Sequence, residues 1–215
     1  MISTSHQVKT VGGGSRPPIL YRVTHSRQPS NGTKSRLGRG SDPIFLQIHL
    51  QKHLNCMCRE PSPFLSATTC RQTALERAAK YAARGFPDVK VIMFKTRGQG
   101  WDHDVQRLWH ARSLVDQFGL MKACFDKEYL VEHSIPEKSI VSCLDWKQDK
   151  GKLDSSGFLM RKAVGHLKYR NRRLKKLSDA RKKEAAENRK APEPKKRKNG
   201  KWVKVGVKVG RNTGA

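Results

Sequence analysis

Carboxylates are scarce in this chain: 18 Asp and Glu stand against 45 Lys and Arg, a formal net charge of +27 over 215 residues. Such a balance excludes a chain that neutralises itself internally, and it points to anionic partners. Cysteines are few, five in all, and Cys56, Cys58, Cys70, Cys124 and Cys143 form no disulfide framework. With no apolar stretch near the N-terminus to act as a secretory signal, the expectation is reduced thiols in an intracellular compartment. No run approaches the ~18 apolar residues of a membrane span, so no membrane partner is expected. Hydrophobic residues make up only 36%, enough for one cored domain with tails but low for a chain folded throughout.

The cationic excess is uneven. Residues 1–160 hold 24 basic and 14 acidic side chains, whereas residues 161–215 hold 21 and 4. A moderately basic domain with a strongly basic appendage is the pattern. Residues 1–18, with Gly12-Gly13-Gly14 and Pro17-Pro18, read as a flexible leader. Ile19-Leu20-Tyr21-Arg22-Val23 reads as a strand interrupted by one arginine, which costs burial energy unless an anion meets it. After a polar loop over 26–43, Phe45 to Leu54 reads weakly as a helix carrying His49 and His53, with Cys56 and Cys58 just beyond. Four N/S ligands invite zinc, but the spacing fits no common finger, and ordinary surface histidines with no metal are the expectation.

Phe64-Leu65-Ser66-Ala67-Thr68-Thr69 predicts a strand. Thr69 is placed to cap a helix over Cys70 to Arg84, with Ala74, Leu75, Ala78, Ala79 and Ala82 as its apolar stripe and Gly85 as its stop. Val89 to Phe94 is the clearest strand in the chain. Asp102-His103-Asp104 reads as loop chemistry, and a helix is expected from about Val105 to Phe118.

The run Asp126-Lys127-Glu128-Tyr129-Leu130-Val131-Glu132-His133-Ser134-Ile135-Pro136 predicts a strand that Pro136 terminates. Alternation within it would place Asp126 and Glu128 on one face, a candidate reaction centre. Ser139 to Leu144 is a last short strand. Phe158 to Lys190 reads as a long basic helix with too little apolar content to bury much. Trp202 to Val209 alternates like a strand without a partner.

Taken in order, an arginine on an early strand, Phe-Leu-Ser-Ala-Thr before a helix, and Asp-x-Glu before Ile-Pro resemble the Arg-Ser-Glu arrangement of ADP-ribosyltransferases of the cholera-toxin and heat-labile-enterotoxin class. Residues 19–146 also look like an uncharacterised fungal domain that shares the Leu-Tyr-Arg-Val start and the Glu-His-Ser-Ile-Pro end. The resemblance implies an α+β fold, a split antiparallel β-sheet with flanking helices over 19–146; the charge pattern adds a basic, partly helical tail over 147–215. It further implies NAD as the ligand, with Arg22 on a phosphate. Ser66 would brace the strand and orient Glu128, Glu128 would stabilise the oxocarbenium-like centre, and Asp126 would help choose the acceptor. Two positions depart from the family pattern: Asp126 stands where Glu or Gln is usual, and Ala67 replaces the middle Thr of Ser-Thr-Ser.

Two functions follow as expectations: NAD-dependent mono-ADP-ribosyl transfer, or a catalytically inactive copy of that fold tethered to nucleic acid by residues 161–215. Lys195-Lys196-Arg197-Lys198, with Arg181-Lys182-Lys183 upstream, resembles a bipartite import signal and suggests a nuclear location.

Overall fold

The computed structural model describes residues 16–55, 58, 60–120 and 126–190. The expected strand at 202–209 and the cluster at 195–198 lie outside them, as do Cys56 and Cys124. In chain order the elements are β1 (Ile19–Thr24), α1 (Leu46–Leu54), β2 (Phe64–Thr68), α2 (Arg71–Ala83), β3 (Lys90–Lys95) and β4 (Leu108–His110). Then come α3 (Ala111–Gln117), β5 (Glu128–Glu132), β6 (Ile140–Asp145), α4 (Lys150–Leu153) and α5 (Phe158–Lys190). The chain divides between Tyr169 and Arg170 into two units.

The architecture is mixed α+β: one six-stranded antiparallel sheet, ordered β4-β5-β2-β1-β3-β6, with helices against it. Most neighbours pair along their length. β1 lies against β3 from Ile19↔Lys95 to Thr24↔Lys90, and β2 against β5 from Phe64↔Glu132 to Thr68↔Glu128. At the centre, by contrast, β1 and β2 share one register pair, Tyr21↔Thr68. The sheet is therefore two three-stranded halves hinged at a single bridge.

Sequence pattern explains where each half is buried. Alternation along β2 sends Leu65 and Ala67 to one apolar cluster, with Leu20, Phe94, Leu108 and Val131, and Phe64 to another. That second cluster is closed by Leu46 and Leu50 of α1 and by Leu114 of α3. The alanine stripe of α2, Ala74, Ala78 and Ala79, lets that helix sit close on Val23 and Val91. Removing one of the fully buried leucines costs about 2–5 kcal/mol in such cores. Leu159 and Ala163 tie the start of α5 into the same cluster, and the Asp154 carboxylate accepts from the Leu159 and Met160 amides. No helix among the described residues is long and apolar enough to cross a membrane.

Two expected elements differ from those observed. The helix expected from Val105 to Phe118 is the strand β4 followed by the short helix α3. Leu108 and Trp109 pair with Val131 and Leu130, and both are buried in different clusters, which only an extended backbone allows. The strand expected from Asp126 begins at Glu128. Asp126 sits in the preceding turn, so the two carboxylates share no strand face.

Candidate functional site

The seam between β1 and β2 is filled by an arginine. Beyond Tyr21↔Thr68 the strands part, and backbone carbonyls that a sheet would have paired need other donors. Arg22 supplies one: Nη1 donates to the Ser66 carbonyl of β2 at 2.7 Å, while Nε donates to the Gly32 carbonyl of the following loop at 2.7 Å. A weaker contact runs from Nη2 to Gln28 Oε1 at 3.5 Å. Gly32 can take this place because its φ is +79° and any Cβ there would collide with Thr24 and Gln28.

Arg22 is only 8% exposed, and among the described residues no carboxylate pairs with it. Burial lowers its pKa to about 10; the Arg77 guanidinium acts in the same direction and Tyr81 opposes it. It stays charged at neutral pH. Of its five N–H groups, three are engaged, so about two remain for a ligand.

Arg22 forms part of the wall of a cleft of about 230 Å³. Lys34, Arg36, Lys52 and Arg77 line it too, and among the described residues Glu60 is its one acidic lining residue. Glu60 is itself paired with Lys52. The loop bearing Lys34 and Arg36 is held in place: the Ser35 amide donates to the His133 carbonyl at 2.7 Å and Leu37 to that of Ser62 at 3.1 Å. Cations converging on a concave surface with one acid among them favour an anion bearing more than one charge.

Beside Arg22 stands a histidine that sequence reading left on the surface. His53 Nε2 lies 2.9 Å from Ser66 Oγ, and Nδ1 lies 2.7 Å from Ser62 Oγ. Burial, with Arg22 and then Arg77 nearby, pushes its pKa down to about 4, so the ring is neutral at pH 7. One nitrogen then donates and the other accepts, which fixes the Ser66 hydroxyl. The available signal was spacing: Leu46, Leu50 and His53 recur at four and three residues, the inward stripe of α1.

Glu128 opens β5 opposite Thr68. Its Oε1 lies 3.8 Å from Arg77 Nη2, and its side chain is 18% exposed. Glu128 does not line the cleft directly; it reaches it through Arg77. Ser66 faces Leu130 across the sheet, and its hydroxyl is taken by His53 rather than by Glu128. Asp126 is exposed, with Oδ1 4.0 Å from Arg112 Nη1. The structure thus gathers Arg22 and Ser66 at one wall, connects Glu128 to it by one arginine, and sets Asp126 in the turn before β5, beside Arg112 of α3.

Glu132, which carried no expectation, is fully buried. Its carboxylate bonds Arg107 and the Ser41 hydroxyl, and Arg107 also donates to the Ser41 carbonyl. This latch holds the 35–41 loop, and with it one rim of the cleft, on the sheet.

A six-stranded antiparallel α+β domain with a cationic cleft at its central seam is what sequence and structure define. The chain belongs to the family described as Domain of unknown function (DUF7587), whose model matches residues 15–149. No curated protein matches the sequence. Among solved structures nine chains are similar; one of them, EcPltA, is 20% identical over 60% of this chain and 75% of its own, at a TM-score of 0.40. Superposition at that level does not define a fold.

Proposed function

We propose that the seam cleft binds NAD and that the domain is an ADP-ribosyltransferase-like nucleotide-binding module. The observation that carries this reading is Arg22: a buried guanidinium without a carboxylate partner among the described residues, facing a cleft with four further cations. Burying an unpaired cation is costly, and a fixed anion offsets that cost. A pyrophosphate fits the need, and the spare Arg22 donors offer it the paired geometry that guanidinium gives to phosphate. The order of Arg22, Ser66 and Glu128 on β1, β2 and β5 supports NAD in particular, through the resemblance already described.

In this reading the C–N bond between nicotinamide and ribose breaks, and the electron pair leaves with neutral nicotinamide. The ribosyl C1′ cation is stabilised by the Glu128 carboxylate and captured by a lone pair of the acceptor, whose proton passes to solvent. Neutral His53 holds the Ser66 hydroxyl and keeps a further cation away from that developing positive charge. A second reading, a non-catalytic nucleotide-binding copy, is favoured by one observation: Glu128 leans on Arg77 instead of lining the cleft.

Incubating the full chain with NAD and measuring free nicotinamide separates the two. Release that falls about a hundredfold or more in Glu128→Gln supports an enzyme. Binding of NAD without release supports the second reading, and absence of both overturns the proposal.

A further inference from the structure

From Arg170 to Glu187, α5 is exposed at every residue. Eighteen helical residues span about 27 Å. Eight of them are Lys or Arg and three are Asp or Glu. Burial does not hold this stretch of the helix; its Leu, Lys, Arg and Ala content favours helix, and the pair Lys183 to Glu187 at 3.9 Å adds a little. Repulsion works against it, because Arg172, Lys175 and Lys176 are three and four residues apart, relieved in part by Asp179 one turn beyond the two lysines.

The cations are not spread evenly around the helix. At about 100° per residue, Arg172, Lys175, Lys176, Lys182 and Lys183 fall on one side, with Asp179 in their midst. Leu174 and Leu177, each 51% exposed, fall on the opposite side with Arg170 and Arg181. Arg173 lies between. Two half-exposed leucines are too thin an apolar stripe to anchor a helix in lipid. A one-sided row of long cations matches a phosphate backbone, and neutralising it there would relieve the repulsion within the helix.

We propose that this face of α5, formed by Arg172, Lys175, Lys176, Lys182 and Lys183, is a nucleic-acid-binding surface that contacts the phosphates of a duplex without reading bases. Binding is salt-steep and sequence-tolerant, and Asp179 weakens it from within the face. The proposal is independent of the NAD reading.

The test is fluorescence anisotropy of the full chain with a labelled DNA duplex of about 20 base pairs across a salt series. Two variants remove the same charge: Arg172→Ala/Lys175→Ala/Lys183→Ala on the face, and Arg170→Ala/Arg173→Ala/Arg181→Ala off it. Alanine preserves the helix in both. The on-face variant should flatten the slope of log affinity against log salt by about 2.7, and the off-face variant by less than about 1. Asp179→Asn should tighten binding by a few-fold, about one charge's worth. Equal losses in the two triple variants would mean diffuse attraction to a basic chain and would overturn the proposal. So would duplex binding unchanged by either variant, or preference for phosphatidylserine vesicles that Leu174→Ala/Leu177→Ala abolishes.

Discussion

Arg22 on β1 donates to the backbone carbonyl of Ser66 on β2, 2.7 Å away, where the two strands have stopped pairing. A side chain thus does the work of a missing strand contact, and the same guanidinium faces the cleft. Fold and site meet in this residue. The widening that opens the cleft leaves the Ser66 carbonyl without a strand partner, and the group that satisfies it brings a charge that wants an anion.

Replacing that side chain should cost stability even without ligand. Arg22→Met removes the donors to Gly32 and Ser66 and strands two carbonyls, at about 1–3 kcal/mol each, partly offset by relief from burying a charge. A net loss of about 2 kcal/mol is expected in urea unfolding at pH 7. An unchanged midpoint would mean that Arg22 does not bridge the seam.

His53 sets a pH dependence. Its folded pKa of about 4 lies below the usual 6.5, so between those values the unfolded chain binds more protons than the folded one. Stability is then complete above about pH 6.5 and falls as the pH drops towards 4. For a half-buried ring the loss is on the order of 2 kcal/mol. His25, whose pKa is also lowered, first by burial and then by Arg27 and Arg22, contributes in the same direction. Comparing urea unfolding at pH 7.5 and 4.5 in wild type and His53→Gln isolates the His53 share; equal pH dependence in the two proteins would contradict its placement.

Glu132 and Arg107 form the buried latch under the 35–41 loop. Glu132→Ala leaves Arg107 without its partner, and a loss of about 3–5 kcal/mol is expected. Glu132→Leu with Arg107→Met removes both charges and should recover a large part of it. A single variant costing less than about 0.5 kcal/mol in thermal or urea unfolding would show that the latch is solvated.

Much of the fold was legible because its elements follow simple periods. β1, β2, β3, β6 and the limits of α5 fall within a residue or two of the sequence reading, since alternation and helix punctuation are local. β4 was not legible: Leu108-Trp109-His110 is extended only because β5 lies beside it, a pairing between residues about twenty apart. The site divides in the same way. Arg22 stood out because a charge inside an apolar strand is anomalous on its own. His53 and Glu132 take their meaning from partners far along the chain, Ser66 and Arg107, and Asp126 missed the strand face because β5 starts two residues later than its composition suggests.

Calorimetric titration of the full chain with NAD, alongside Arg77→Ala and Lys34→Ala, tests the seam cleft most directly. We expect saturable binding in wild type, weakened by roughly tenfold in either variant, as loss of one charge-assisted phosphate contact implies. No binding at millimolar NAD, or wild-type affinity in both variants, would contradict the assignment of the cleft to NAD.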